Sequence, residues 1–159
     1  MSLPRPVLLR RLSNELRMCS EYTGADFSFD PDTVSFPMEI DMRMSNVVAY
    51  SAPGEVATDH GFTIIVTEEY GERKPEVRWR TPIFHPNIMS PEDGGYVCIK
   101  LLNEWSFGTT LLSFLKGIES LVAGPNPDDP FGTESCLAAA KYVKENPAGF
   151  SASVSYQSK

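Results

Sequence analysis

Cys98 is the residue whose type and surroundings best suit nucleophilic chemistry in this chain. It lies within residues 81–108, a proline- and glycine-rich segment without regular hydrophobic periodicity. A segment of that length inside a compact domain is usually functional. A free cysteine is more often buried and inert, and we adopt that interpretation for Cys19 and Cys136, which occupy apolar positions of predicted helices. Cys98 is therefore the candidate nucleophile.

Two kinds of thiol chemistry fit the residues around Cys98. His85 and Asn87 complete the Cys-His-Asn set of a thiol protease, but residues that flank a proline cannot easily line up behind one thiol, and a simple turn explains them as well. A thiol needs no dedicated base when its partner is already a thioester, because the exchange is nearly balanced and a small thiolate fraction suffices. Thioester exchange is therefore the favoured chemistry, and a Cys/His thiol hydrolase ranks below it.

Transfer of an acyl group from Cys98 to an amine would need two further groups. One donates a hydrogen bond to the tetrahedral oxyanion, and the other orients or deprotonates the incoming amine. The Asn87 side chain can serve the first purpose, and the adjacent carboxylates of Asp128 and Asp129 can serve the second.

Three amphipathic segments predict the helices that position these residues. Residues 6–19 carry an apolar stripe and end before Gly24, residues 109–124 carry a second stripe, and residues 133–145 form a third segment that stops before Pro147. Such spacing is typical of helices with one buried face. The tail, residues 148–159, is small and polar, so we expect little structure there.

The strands are predicted by a change of period. Apolar and charged residues alternate in "PMEIDMRM" (37–44), and β-branched or aromatic residues dominate "FTIIVT" (62–67) and "EVRWR" (76–80), as in half-buried strands. Either "FSF" or "VSF", within residues 27–36, supplies a first strand. Since turn-rich sequences separate these segments, we expect a four-stranded antiparallel meander in a single α+β domain spanning residues 1–147.

Composition narrows the class of protein. The 159 residues suffice for one good core, and a net charge of −7 argues against a nucleic-acid-binding protein. Three scattered cysteines without a CxxC pair suit a reducing compartment and offer no zinc cluster. There is no apolar run that could cross a membrane. We expect a cytoplasmic monomer without a cofactor or a metal.

The ordered motifs resemble the core of a ubiquitin-conjugating enzyme. The match joins "TPIFHPNI", the cysteine of "GGYVCIKLLNEWS" with a tryptophan seven residues later, the helix "LLSFLKGIESLVAG" and the loop "PNPDDP". It covers about residues 60–131, and the basic N-terminal helix "LLRRLSNEL" adds support. Each motif is weak alone, but the ordered set is highly specific.

This resemblance implies roles for individual residues. Cys98 would hold the modifier as a thioester, Asn87 would support the oxyanion or the loop that shapes it, and Asp129 would face the acceptor lysine. The other residues with implied roles are Phe84 and Asp128 in the acceptor groove, His85 and Trp105 as structural groups, Arg10 and Arg11 toward the activating enzyme, and Glu72 and Phe107 toward a ligase.

This chain departs from the usual pattern of that family at several positions. The Asn87-to-Cys98 interval is longer than the family's commonest form, and "YGERKP" (70–75) and Ser106-Phe107 replace the usual ligase-facing residues. Docking of a RING-type ligase is therefore in question. The expected function is a transferase that carries ubiquitin or a ubiquitin-like protein received from an activating enzyme. A non-catalytic binding module of the same fold is the alternative.

Overall fold

The computed structural model describes residues 3–98, 104–146 and 155–157. The helices and strands in chain order are α1 (Arg5–Thr23), β1 (Met38–Ser45), β2 (Ala49–Ala52), β3 (Glu55–Ala57), β4 (His60–Val66), β5 (Glu76–Trp79), α2 (Leu111–Ala123), α3 (Glu134–Glu145) and β6 (Ser155–Gln157). The predicted α+β class is confirmed.

Helix α1 forms where the apolar stripe predicted it. A proline occupies the start of the helix, where its missing N–H costs nothing. Leu8, Leu12, Leu16 and Cys19 are all buried. The helix ends at Gly24, whose positive φ of 78° lets its N–H bond back to the carbonyl of Ser20 at 2.8 Å.

The main sheet has the strand order β5-β4-β1-β6. Strand β1 is antiparallel to β4 from Met38 opposite Val66 to Met44 opposite His60, and β4 is antiparallel to β5. The methionines of β1 face the core while its charged residues are exposed, as the alternation in the sequence predicted. Helices α1 and α2, strands β4 and β5 and several loop residues complete this core.

Two strand predictions need correction. Neither "FSF" nor "VSF" forms a strand, because the N–H groups of Thr33 and Val34 turn back onto the carbonyl of Asp30 while Phe27 packs into the core from a loop. The edge of β1 is paired with β6 instead, so residues 155–157 of the tail belong to the sheet. In addition, the turn-rich region after Tyr50 contains the β2–β3 hairpin, which forms a separate sheet.

Each of the two C-terminal helices begins after a threonine that caps it. The side-chain oxygen of Thr110 accepts from the Ser113 N–H before α2, and that of Thr133 accepts from the Cys136 N–H before α3, which satisfies one free helix donor in each case. Within the described ranges, there is no helix with the length and apolar character needed to cross a membrane.

Candidate active site around Cys98

Cys98 lies at the end of a short hairpin that starts at Asn87. The Cys98 N–H donates to the Asn87 carbonyl at 2.9 Å, the Met89 N–H donates to the Tyr96 carbonyl at 2.8 Å, and Ile88 bridges to Val97 in antiparallel fashion. The long interval between Asn87 and Cys98 is therefore a closed turn. It places the Cys98 backbone directly beside that of Asn87.

The tip of this hairpin is attached to β5. A turn of 3-10 helix, Pro91–Asp93, leads into Gly94 and Gly95, whose φ angles are 112° and 69°. The Gly95 carbonyl accepts from the Trp79 N–H at 2.8 Å. A Cβ on Gly95 would lie 2.6 Å from the Trp79 carbonyl oxygen, so only glycine fits this close approach.

The Asn87 side chain holds the loop that carries the two aspartates. Its Nδ2 donates to the carbonyls of Asn126 at 3.0 Å and Asp129 at 3.1 Å, and its Oδ1 accepts from the Asn126 N–H at 2.8 Å. The Phe131 N–H adds a bond to the Pro86 carbonyl. Asn87 is 3% exposed, and both of its amide hydrogens are used. The geometry therefore gives Asn87 the role of a clamp on the loop.

His85 is a buried structural group. Its Nε2 donates to the Leu121 carbonyl at 2.9 Å, and its Nδ1 accepts from the Asn87 N–H at 3.0 Å. Burial lowers the pKa of His85 to about 4, because a charged imidazole is poorly solvated in the interior. The ring is neutral near pH 7, and neither nitrogen is free to serve Cys98 as a base.

Cys98 is partly exposed, unlike Cys19 and Cys136, which are buried as predicted. Burial is the main cause that raises the pKa of the Cys98 thiol, the charge of Asp129 raises it further, and the charge of Lys74 opposes both. The carboxylate of Asp129 and the ammonium of Lys74 therefore both lie close enough to Cys98 to affect the ionisation of its thiol. Lys74 was not predicted as a site residue, although it lies in the atypical 70–75 segment.

The other two groove residues differ in exposure. Asp128 is exposed and its Oδ1 lies 3.5 Å from Nζ of Lys144 on α3. Phe84 is 8% exposed, and its ring packs edge-on against Tyr142 with 5.8 Å between centroids. Phe84 therefore joins β2, through its N–H and the Tyr50 carbonyl, to α3, through the ring of Tyr142. Its contact with an acceptor stays a prediction.

Arg11 differs from Arg10 in its surroundings. Arg10 is exposed, whereas the Arg11 guanidinium binds Glu15 at 2.6 Å and donates to the Thr109 carbonyl at 3.0 Å. It also lies 5.0 Å from the ring centroids of both Tyr70 and Phe107. Arg11 is therefore committed to internal contacts. The pairing was detectable in the sequence, because Glu15 follows Arg11 by one helical turn.

Glu15 joins the same cluster from the inside. It is 5% exposed, and its Oε1 accepts from the Tyr70 hydroxyl at 2.6 Å and from the Leu111 N–H at 2.7 Å. Trp105 packs against Tyr70 and donates to the Gly71 carbonyl at 3.2 Å. Residues 70–75 and 105–110 are thus fastened to α1. The exposed side chains of Glu72 and Phe107 lie on these two segments.

Comparison with known proteins places these features in a family. The model of the ubiquitin-conjugating enzyme family matches residues 20–157. Ubiquitin-conjugating enzyme E2 13 of Schizosaccharomyces pombe is 31% identical over 120 residues, which are 73% of this chain and 76% of that protein. The chain belongs to the ubiquitin-conjugating enzyme family.

Solved structures agree with this assignment. The E2 domain of a Toxoplasma gondii ubiquitin-conjugating enzyme has a TM-score of 0.64 at 26% identity and covers 87% of each chain. A putative ubiquitin-conjugating enzyme from Plasmodium yoelii has the same TM-score and identity, with 92% of this chain and 88% of the other covered. The fold predicted from the ordered motifs is confirmed.

Proposed function

We propose that the protein accepts ubiquitin or a ubiquitin-like modifier on Cys98 as a thioester and transfers it to the amine of an acceptor lysine. The observation that carries this proposal is that Cys98 is partly exposed and lies near Asp129, whose backbone is held by Asn87. Family membership supports a conjugating enzyme in general, and these side chains supply the means for the particular chemistry.

Loading exchanges one thioester for another. The Cys98 thiolate attacks the carbonyl carbon of a thioester held by an activating enzyme, the new carbon–sulfur bond forms, and the old one breaks with release of the activating enzyme's thiolate. Because the bonds made and broken are alike, a strong base is unnecessary. A neutral, fully hydrogen-bonded His85 is consistent with such a site and unsuited to a hydrolase that needs an imidazole base.

Discharge converts the thioester into a more stable amide, and it needs groups beside Cys98 that loading does not need. The neutral lysine amine attacks the thioester carbonyl, an amide carbon–nitrogen bond forms, the carbon–sulfur bond breaks with release of the Cys98 thiolate, and the nitrogen passes a proton to solvent. The exposed carboxylate of Asp129 can attract and orient the incoming amine. We assign Asn87 to holding Asp129 in place, since its amide donors are already bonded to the loop. Asp128 and Phe84 are assigned to the acceptor groove.

Partners are assigned to two surfaces. Arg10, exposed on α1, is proposed to contact the activating enzyme, while Arg11 stabilises the helix and the adjoining segments from inside. Glu72 and Phe107 would meet a RING-type ligase. The acidic Glu72 and the aromatic Phe107 make this surface differ from the family's usual one, so we expect a narrow choice of ligase. A cytoplasmic location stays a prediction.

The test is a loading reaction followed on a non-reducing gel. Incubation with activating enzyme, ATP and ubiquitin-like modifiers should give an adduct of greater mass that thiol reductant removes. In Cys98→Ser the adduct should resist reductant, because it is an oxygen ester, and in Cys98→Ala it should be absent. An adduct that persists in Cys98→Ala would refute the assignment. A folded wild type that binds modifier but never forms an adduct would indicate the non-catalytic binding module.

A further inference from the structure

Strand β6 is held at the edge of the main sheet by a very short pairing. Three antiparallel pairs join it to β1: Arg43 with Gln157, Met44 with Tyr156, and Ser45 with Ser155. Strand β4 pairs along nearly the whole of the opposite side of β1. A three-residue strand gains little from its backbone bonds alone, so side-chain contacts must supply much of its attachment.

Tyr156 provides the main side-chain contact. It is partly buried against the core, and its hydroxyl donates to Glu119 Oε2 on α2 at 2.5 Å. The other oxygen of Glu119 accepts from the hydroxyl of Tyr22 on α1 at 2.8 Å. Burial and the neighbouring Glu119 raise the pKa of Tyr156, so its hydroxyl remains protonated and donates. Asn46 adds a bond to Ser155 at 2.9 Å.

We infer that the β1 edge and the Glu119 carboxylate form a strand-addition site for an extended peptide with a tyrosine opposite Met44. The C-terminal segment of the chain occupies this site in the structure. Backbone pairing with Arg43–Ser45 would provide affinity, and the tyrosine contact would provide register. A shift of one residue would turn the tyrosine away from the core to the opposite face.

The position of the site leaves Cys98 accessible. In the sheet order β5-β4-β1-β6, the strand-addition site lies at the β1 edge, whereas the Cys98 hairpin is attached to β5 through Trp79 and Gly95. A partner could therefore bind at one edge while chemistry proceeds beside the other. Because the tail is covalently linked, its local concentration is on the order of millimolar, and a competing partner must offer a longer extended segment. The partner we expect is a protein that carries such a tyrosine-containing segment.

The test uses the full chain and a labelled peptide with the sequence of residues 152–159, followed by fluorescence anisotropy. Replacement Tyr156→Ala in the protein removes the anchor of the tail and should make peptide binding about tenfold tighter than to wild type. A control peptide with alanine in place of the tyrosine of position 156 should bind about tenfold more weakly, because it cannot donate to Glu119. Glu119→Gln should reduce the preference for tyrosine over phenylalanine in the peptide.

Two results would overturn the inference. One is a folded Tyr156→Ala protein that shows no saturable binding or binds both peptides equally. The other comes from hydrogen exchange on the wild type, which does not depend on any variant folding. If the tail can be replaced, amides of residues 155–157 should exchange at least about tenfold faster than those of β4. Exchange of both strands only through global unfolding would show that the tail is a fixed part of the fold.

Discussion

At the scale of single residues, the charges around Cys98 determine how readily its thiol ionises. Because burial and Asp129 raise the pKa of this thiol, less thiolate is present at a given pH, and loading should accelerate as the pH rises from 7 toward 9. His85, with a pKa of about 4, should add no inflection near its ordinary value. A clear inflection near pH 6.5 in the loading rate would argue for a catalytic histidine.

The two neighbouring charges should act in opposite directions. Asp129→Asn removes a charge that raises the Cys98 pKa, so alkylation of Cys98 at fixed pH should become faster, and Lys74→Met should make it slower. The measurement is iodoacetamide labelling across a pH series, with the modified peptides identified by mass spectrometry. Buried Cys19 and Cys136 provide internal controls. Shifts of equal sign in the two variants would contradict this electrostatic account.

Replacement of Asn87 should affect the two proposed chemical steps differently. Asn87→Ala removes three hydrogen bonds to the 126–129 loop, so discharge to free lysine should slow while loading is largely retained. The free energy of unfolding should fall by about 1–3 kcal/mol, because buried backbone groups lose their partners. Single-turnover discharge and urea unfolding measure the two effects.

Asn126→Ala is the matched control for this loop. It removes an exposed bond from the Asp128 N–H but leaves intact the Asn126 backbone atoms that Asn87 binds, so discharge should fall much less than in Asn87→Ala. An equal loss of loading and discharge in Asn87→Ala would point to general misfolding and would contradict the proposed role of the clamp.

At the scale of elements, the Arg11–Glu15 cluster joins α1 to the segments on either side of the site. Glu15→Ala leaves the Tyr70 hydroxyl and the Leu111 N–H without their acceptor and leaves Arg11 unpaired. Loss of one member of such a buried pair should lower the free energy of unfolding by about 3 kcal/mol, measured by chemical denaturation.

Arg10 and Arg11 make a matched pair for this cluster. Arg11→Met should destabilise the protein, whereas exposed Arg10→Met should change its stability by less than about 0.5 kcal/mol. Arg10→Met should instead raise the activating-enzyme concentration needed for half-maximal loading. Equal stability of the two variants would contradict the internal role of Arg11.

The hairpin that carries Cys98 depends on glycine at one position. Gly95→Ala would place a Cβ 2.6 Å from the Trp79 carbonyl oxygen at a φ of 69°. We therefore expect the free energy of unfolding to fall by about 1–3 kcal/mol. The loading rate should also fall, because the hairpin would move away from β5. Gly108→Ala is the control, since its Cβ would meet nothing within 4 Å. Unchanged unfolding and loading in Gly95→Ala would contradict the close contact.

At the scale of the whole molecule, buried neutral histidines should make the fold sensitive to acid. The pKa of His85 falls from 6.5 to about 4 on burial, and burial also lowers the pKa of His60. The unfolded chain therefore binds more protons between these pH values, and stability that is present above pH 6.5 is lost as the pH falls toward 4. His85 alone should account for at most about 3 kcal/mol.

Thermal unfolding at pH 7.5, 5.5 and 4.5 tests this acid sensitivity. We expect the midpoint to fall at each step below pH 6.5. Replacement His85→Gln should flatten the dependence if the variant remains folded, since it removes the group that takes up the proton. A midpoint that is constant from pH 7.5 to 4.5 would contradict the burial of neutral imidazoles.

Local patterns in the sequence determined most of the elements, and the proposal that Cys98 is the principal site residue rests on them. The alternation around Ile40 predicted β1, the apolar stripes predicted α1 and α2, and the irregular segment singled out Cys98. The predictions of β1, α1 and α2 succeeded because hydrophobic periodicity depends on residues a few positions apart. The ordered motifs also determined the family.

Only the tertiary structure decided which groups meet over long distances. Asn87 binds loop atoms 39 and 42 residues along the chain, and the polar sequence of the tail gave no sign that Tyr156 would reach Glu119 and close the β1 edge. Arg11 was assigned to the activating enzyme from the sequence, but residues far along the chain, Tyr70, Phe107 and the Thr109 carbonyl, surround it. A strand edge or a buried charge accepts whichever partner the packed chain delivers. Which group pairs with that edge or charge depends on the arrangement of the whole chain, so it cannot be predicted from short-range periodicity in the sequence.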